Sequence, residues 1–139
     1  MTATAPLDHL DAQLDAPYTL SEEQIHRFRE DGFIHLKDVF SREVLDAYGD
    51  EITRLTLDHN PNKDKSLEER DTYGKAFIQV GNLWEKSEIA KRFAFSKRLG
   101  RIATELLGTE GVRMYHDQAL YKEPSGGCTP WHVDQQYWP

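Results

Sequence analysis

The sequence predicts an α+β fold in which a helical N-terminal layer leads into the first strands of a β architecture. Serine-capped amphipathic segments recur between residues 21 and 108, as expected for short helices. From residue 109 onward, apolar and aromatic residues form extended segments around a glycine-rich turn. A chain of 139 residues has the size of one domain. We therefore predict one domain over residues 21–139, with helices over 21–108 and strands over 109–139.

The first 20 residues are predicted to form a flexible N-terminal arm. The spacing of three leucines, Leu7, Leu10 and Leu14, is that of one short helical face, but Pro6 and Pro17 bracket this stretch. The ends of a chain are poorly ordered unless contacts hold them down. We therefore expect residues 1–20 to be loosely ordered.

The first helix is predicted to begin after Ser21. Ser21-Glu-Glu-Gln24 has the pattern of a capping box, and Ile25 and Phe28 supply an apolar face. Gly32 is a suitable C-terminal stop. The alternation that follows predicts a short strand over Phe33–Phe40.

The second helix is predicted to begin at Ser41 and to end near Pro61. Proline disfavours a helical conformation for the residue before it. A polar connection then leads to an apolar run over 77–84, which we predict to be extended. Ser87 and Ser96 are candidate N-caps of two further helices, the second ending at Gly108.

Two extended segments are predicted near the end of the chain. Val112–Lys122 has the composition of a strand, and Pro124–Gly127 is typical of a turn. The aromatic segment Trp131–Trp138 is predicted to be extended as well. Antiparallel pairing would place Gln118 and Lys122 on one face of the first of these strands, together with His116 and Leu120. We expect His116 to be a packed strand residue.

Composition argues against several classes of function. The formal net charge is 17 − 24 = −7 and no basic stripe is present, which argues against a nucleic-acid partner. Cys128 is the single cysteine, so an internal disulfide framework is excluded. No secretory signal and no apolar run of membrane-spanning length are found. We expect a soluble cytoplasmic protein.

The motif with the clearest chemistry is His132-Val-Asp134. A histidine and a carboxylate two residues apart on an extended segment point to the same side of the chain. They offer one imidazole nitrogen and one carboxylate oxygen, two of the three ligands in the facial site of non-haem Fe(II) oxygenases. A bare His-x-Asp is a weak signal, because a protein of this size can contain one by chance. The alternative is that both side chains simply hydrogen-bond neighbours at a sheet edge.

The surrounding residues are more specific. Lys122-Glu-Pro124, the Gly126-Gly127 turn and Thr129-Pro-Trp-His-Val-Asp-Gln135 together resemble the phytanoyl-CoA dioxygenase family of Fe(II)- and 2-oxoglutarate-dependent oxygenases. Asp31-Gly-Phe-Ile34 and Phe77–Trp84 also resemble family segments. The resemblance covers residues from about 20 to the end of the chain.

This resemblance implies a double-stranded β-helix, a jelly-roll or cupin-like barrel with iron at its open end. It implies that His132 and Asp134 are the first two iron ligands. It also implies that Gln118 lies against the co-substrate 2-oxoglutarate. Gln79 stands where several members carry a lysine that reaches the co-substrate, so its role is open. For both glutamines, a polar residue satisfied inside the sheet is an equal alternative.

The implied reaction is hydroxylation of an aliphatic C–H bond of a small organic substrate by O₂. Halogenating relatives replace the carboxylate ligand with a small residue, so Asp134 favours hydroxylation. The family also needs a later histidine for iron and an arginine for 2-oxoglutarate, which residues 109–139 do not supply. We therefore expect the chain to be the N-terminal portion of a longer enzyme, or a truncated form, with negligible turnover by itself.

Two other classes of function stay open from the sequence. One is a truncated, catalytically inactive remnant that acts as a binding or interaction module through its strand edges. The other is a redox-inert metalloprotein that binds Zn²⁺ or Mn²⁺ through His132 and Asp134. Substrate identity and oligomeric state are not indicated by any motif.

Overall fold

The computed structural model describes residues 8–136. It has α+β architecture, with the helices α1 Asp8–Asp15, α2 Glu22–Asp31, α3 Arg42–Asp58, α4 Thr72–Ala76, α5 Glu88–Ala94 and α6 Lys97–Leu107. The strands are β1 Ile78–Gly81 and β2 Gln118–Tyr121, and short 3-10 turns lie at Leu67–Glu69, Leu83–Glu85 and Asp134–Gln136. Within residues 8–136, no helix combines the length and apolar character needed to cross a membrane.

The serine caps lie where the sequence predicts them. Ser21 and Gln24 form a complete capping box at the start of α2, and Gly32 ends that helix with φ of 76°. The Ser41 side chain accepts a hydrogen bond from the N–H group of Val44 at the start of α3. The predictions of these two helices are confirmed.

The two later helices also follow their predicted caps. Ser87 accepts from the N–H group of Ala90, and Ser96 accepts from that of Leu99. Gly108 ends α6 in the left-handed conformation, with φ of 66°. Each of these boundaries depends on a hydrogen bond between residues close in sequence, which explains why sequence alone predicts them.

The predicted flexible arm covers residues 1–20, of which 1–7 lie outside the described residues, and residues 8–15 differ from the expected loose order. From Asp8 it forms α1, and Leu10 and Leu14 of this helix are buried. Arg92 of α5 pairs with Asp11 and Asp15. These contacts come from residues about 80 positions later in the chain, so the local proline pattern does not reveal them.

The predicted strand Phe33–Phe40 is not formed. The structure shows no regular secondary structure over these residues, and Asp38 has a positive φ of 55°. Phe33 is largely exposed, and only Phe40, at the end of the segment, is buried. Alternation predicts an extended chain, but a strand also needs a hydrogen-bonding neighbour. The only strand pairing in residues 8–136 is that of β1 with β2.

The sheet consists of β1 and β2 in antiparallel pairing. In this register Ile78 lies opposite Tyr121, Gln79 opposite Leu120, Val80 opposite Ala119, and Gly81 opposite Gln118. Both strands are shorter than the predicted segments 77–84 and 112–122. At the end of β1 the chain turns at Asn82, which has φ of 53°, into the 3-10 turn. A double-stranded β-helix is not seen in residues 8–136.

Two apolar clusters form the core. The first joins α1 to α3 and the loop before it, and contains Leu10, Leu14, Phe40, Val44 and Tyr48. The second joins α3 to the sheet and α5, and contains Leu55, Ile78, Val80, Leu83 and Ala90. Because α3 contributes to both clusters, it connects the N-terminal helix with the inner face of the sheet. The opposite face of the sheet is left exposed.

The last predicted strand is not formed either. Residues 131–133 have no regular secondary structure, and Asp134–Gln136 is a 3-10 turn. The rest of the predicted extended segment, 137–138, lies outside the described residues. Trp131 is fully exposed, so no packing surface holds this segment in a strand.

Candidate metal centre

The segment that carries the His-x-Asp motif begins at a tight turn after β2. The N–H group of Gly126 donates to the carbonyl oxygen of Glu123 at 3.1 Å, which closes a four-residue turn. Pro124 occupies its second position, and Ser125 has φ of 63° at the third, as in a type II turn. The predicted turn at Pro124–Gly127 is therefore confirmed.

This turn is attached to the end of α4. The N–H group of Gly127 donates to the carbonyl oxygen of Lys75 at 2.7 Å. A Cβ atom on Gly126 would lie 3.0 Å from the carbonyl oxygens of both Lys75 and Glu123, so a glycine is needed for this close approach. The carboxylate of Glu123 pairs with the guanidinium group of Arg70, whose side chain is mostly buried.

His132 and Asp134 lie close together. The distance between His132 Nε2 and Asp134 Oδ1 is 3.3 Å, and both side chains are largely accessible to solvent. The predicted reason for this proximity was alternation along a strand. In the structure Asp134 instead begins a 3-10 turn, and the two side chains approach each other through that bend.

One ring nitrogen of His132, Nδ1, is bound to a backbone carbonyl group. His132 Nδ1 lies 2.8 Å from the carbonyl oxygen of Pro130. A carbonyl oxygen only accepts hydrogen bonds, so Nδ1 carries the proton that it donates. In the neutral ring, Nε2 then presents a lone pair beside the Asp134 carboxylate.

The Nε2 atom of His132 and the Oδ1 atom of Asp134 are placed so that both could bind the same metal cation. Divalent transition metals bind imidazole nitrogen and carboxylate oxygen at about 2.1 Å, so two ligand atoms at right angles lie about 3 Å apart. The observed Nε2–Oδ1 distance of 3.3 Å is close to this value. Metal-binding histidines also commonly donate their other N–H group to a backbone carbonyl. The donor set of His132 and Asp134 therefore fits iron.

The two glutamines lie on the exposed face of the sheet. Gln79 of β1 is opposite Leu120, and Gln118 of β2 is opposite Gly81, so the glutamines are diagonal neighbours on one face. Both are exposed. The structure thus brings Gln79 and Gln118 together, as it does His132 and Asp134. No hydrogen bond within residues 8–136 joins the glutamines to the His132–Asp134 pair.

The third metal ligand is not found among the described residues. Over residues 8–136, no group of three or more histidine, cysteine, aspartate or glutamate side chains is placed to hold a metal ion. His116, predicted to be a packed strand residue, is partly buried just before β2, with its ring edge-on to Tyr115 at 5.5 Å. Within the described residues, the candidate site therefore consists of two candidate ligands, His132 and Asp134.

Sequence reasoning assigned no role to Lys122. Its ammonium group donates a hydrogen bond to the carbonyl oxygen of Gly127, across the turn. It also lies 5.0 Å from the centre of the Phe77 ring, within range of a cation–π contact. The Lys-Glu-Pro pattern before the two glycines marks the position, but the partner carbonyl is visible only in three dimensions.

Comparison with known proteins agrees with the motifs in this segment. Residues 28–139 match the family of phytanoyl-CoA dioxygenase (PhyH), and the chain belongs to this family. It is an oxygenase family, typically dependent on Fe(II) and 2-oxoglutarate. Searches of curated proteins and of solved structures found no match. The class of protein is therefore an oxygenase, and its fold family is cupin-like.

Proposed function

We propose that this protein is an Fe(II)- and 2-oxoglutarate-dependent dioxygenase that hydroxylates an aliphatic C–H bond of a small organic substrate. His132 and Asp134 supply two of the protein ligands to iron. The observation that carries this proposal is the 3.3 Å approach of His132 Nε2 to Asp134 Oδ1. Membership of the PhyH family supplies the expected metal and co-substrate.

The roles of the protein groups follow from their positions. The hydrogen bond from His132 Nδ1 to Pro130 keeps the lone pair of Nε2 available for a metal. The Asp134 carboxylate supplies a negative charge and an oxygen ligand, which leaves less room for a halide and favours hydroxylation. When bound, Fe(II) with 2-oxoglutarate activates O₂, and the protein orients the substrate.

We propose that Gln79 and Gln118 contact 2-oxoglutarate. Their amide groups share the exposed face of the sheet, and an amide can both donate to and accept from a carboxylate or keto oxygen. In this proposal β1 and β2 are two strands of a double-stranded β-helix. The exposed face of the sheet then becomes an inner wall of the barrel, which would explain why it carries Leu120 beside the glutamines.

Anaerobic titration with Fe(II) and 2-oxoglutarate tests the metal site. A chelating ferrous site gives a visible charge-transfer absorption band when 2-oxoglutarate binds. We expect this band for the chain, and we expect His132→Ala and Asp134→Ala to abolish it. The matched controls are His59→Ala and Asp64→Ala, which change an exposed histidine and an exposed aspartate elsewhere.

The outcomes separate the candidate functions. Loss of the band in the His132 and Asp134 variants alone supports the proposal. Binding of Zn²⁺ or Mn²⁺ without a charge-transfer band for Fe(II) would favour a redox-inert metalloprotein. Equal Fe(II) binding by all four variants would refute the assignment of both ligands.

A further inference from the structure

We propose that Lys122 is a positioning residue for the His132–Asp134 pair, acting through the turn that precedes it. This inference rests on the proposed function. It assigns to the lysine no contact with iron or substrate. Its basis is a set of contacts that attach one end of the metal-binding segment to the sheet and to α4.

The first contact fixes the entrance to the segment. The N–H group of Gly127 is held by Lys75 at the end of α4, at 2.7 Å. The carbonyl oxygen of Gly127 accepts a hydrogen bond from the ammonium group of Lys122, which lies directly after β2. Both polar groups of one peptide residue are thereby bound, one to each neighbouring element. Gly127 cannot rotate without breaking one of these bonds.

The second contact orients the lysine itself. The ammonium group of Lys122 lies 5.0 Å from the centre of the Phe77 ring. Phe77 directly precedes β1 and Lys122 directly follows β2, each one residue beyond the pair of Ile78 and Tyr121. The side chain is therefore held along the sheet and aimed at the turn, so less conformational freedom is lost in making the hydrogen bond.

The position of Gly127 affects the positions of His132 and Asp134 because only a short stretch of chain joins them. Four residues lie between Gly127 and His132. Pro130, one of these four, accepts the hydrogen bond from His132 Nδ1. Trp131 and Val133 are exposed, so packing contributes little to the placement of the segment. Its position therefore depends strongly on where it leaves Gly127. Loss of a hydrogen bond at Gly127 would therefore allow His132 and Asp134 to occupy a wider range of positions.

The test begins with the metal-free chain. Lys122→Met removes the charge and the hydrogen bond but keeps an apolar stem beside Phe77. We expect exchange of the Gly127 amide hydrogen, which is bound to the carbonyl oxygen of Lys75, to accelerate about tenfold, since a hydrogen bond to a charged group contributes roughly that factor. Exchange in α6 should be unchanged. Lys122→Arg, which keeps a cationic donor, should restore slow exchange, and Lys63→Met is the matched control at an exposed lysine.

The second measurement is Fe(II) affinity of the same variants, with His132→Ala alongside. We expect Lys122→Met to weaken Fe(II) binding about tenfold, the lower end of the effect of removing groups that orient metal ligands. Lys122→Arg should recover most of it, which a general loss of stability would not predict.

The Lys122 and His132 variants together distinguish failure of this inference from failure of the proposed function. If Lys122→Met leaves exchange or Fe(II) affinity unchanged while His132→Ala abolishes binding, Lys122 is not a positioning residue and the proposed function stands. If His132→Ala leaves Fe(II) affinity unchanged, the proposed function fails and this inference fails with it.

Discussion

The side chain of Asp117 accepts a hydrogen bond from the backbone of Leu83. Its carboxylate oxygen Oδ1 accepts from the N–H group of Leu83 at 2.7 Å, and Oδ2 accepts from that of Trp84 at 3.0 Å. The N–H group of Asn82 donates to the backbone oxygen of Asp117 at 3.1 Å. The residue before β2 therefore holds the turn that follows β1, and it helps define where the pairing of the two strands begins.

Replacing Asp117 by alanine should destabilise the fold. Two backbone N–H groups would lose a charged acceptor, and Leu83 is buried. We expect the free energy of unfolding to fall by about 2–3 kcal/mol, because partly buried donors left without a partner carry a cost of this size. Urea unfolding monitored by circular dichroism measures the change.

Two further variants check the cause. Asp117→Asn keeps one carbonyl-type acceptor and should cost less than alanine. Asp64→Ala, at an exposed position in the loop after α3, should change stability by less than about 0.5 kcal/mol. Equal effects of Asp117→Ala and Asp64→Ala would show that the hydrogen bonds contribute nothing.

Leu14→Ala tests whether α1 belongs to the folded core. The side chain of Leu14 is fully buried at 0% exposure, in the cluster with Val44 and Tyr48. A buried leucine replaced by alanine leaves a cavity, and we expect a loss of about 2–5 kcal/mol in the free energy of unfolding. Leu57→Ala, at a leucine of α3 that is 52% exposed, is the control and should cost much less. A negligible effect of Leu14→Ala would mean that α1 contributes nothing to the stability of the core.

Gly126→Ala tests the contact between the turn and α4. The added Cβ would lie 3.0 Å from two backbone carbonyl oxygens, of Lys75 and Glu123, which cannot move aside as a flexible side chain could. We expect a loss of about 1–3 kcal/mol, typical of steric overpacking. Gly111→Ala has no atom within 4 Å of its new Cβ and should be neutral or slightly stabilising. Thermal unfolding of both variants measures the difference. The prediction fails if both alanines behave alike.

Glu51 should contribute to the acid sensitivity of the fold. Hydrogen bonds from Arg54, and a further one from Ser87, hold the pKa of the Glu51 carboxyl below its usual value, although burial raises it. Because the folded-state pKa is the lower one, the stabilisation is complete above the unfolded pKa of about 4.3. It is lost as the pH falls through the folded-state pKa.

Glu51→Gln therefore should flatten the decline of stability at acidic pH. Urea unfolding between pH 7 and pH 3 measures the slope for the native chain and for the variant. Glu110→Gln, at an exposed glutamate in the loop after α6, is the matched control and should leave the slope unchanged. An identical slope for Glu51→Gln and the native chain would contradict the assignment to Glu51.

Helix boundaries were predictable because their causes are local. Each N-cap serine accepts a hydrogen bond from the N–H group three residues further along the chain, as seen at Ser21, Ser41, Ser87 and Ser96. Because the two residues are so close in sequence, the pattern predicts the cap. Strand boundaries were predicted less well. The alternation in Phe33–Phe40 favours an extended chain, but no neighbour pairs with it in the described part of the structure.

The candidate site was predictable as a motif but not as a geometry. The sequence indicates His132 and Asp134 as ligands, and their side chains do lie side by side. The expected extended backbone between them is replaced by a bend that starts at Asp134. The sequence likewise singles out Gln79 and Gln118, but only the register of β1 and β2 shows that they share a face.

The amino-acid sequence by itself determined the caps, the turn at Pro124–Gly127 and the family motif, because each depends on residues within a few positions of one another. Tertiary structure alone decided that α1 is part of the core and that the ammonium of Lys122 is held between Phe77 and the Gly127 carbonyl. It also decided that Lys75 binds Gly127. These features depend on contacts whose partners are far apart in the chain or meet only through a bend. Their free energy comes from burial and hydrogen bonding that no local pattern specifies.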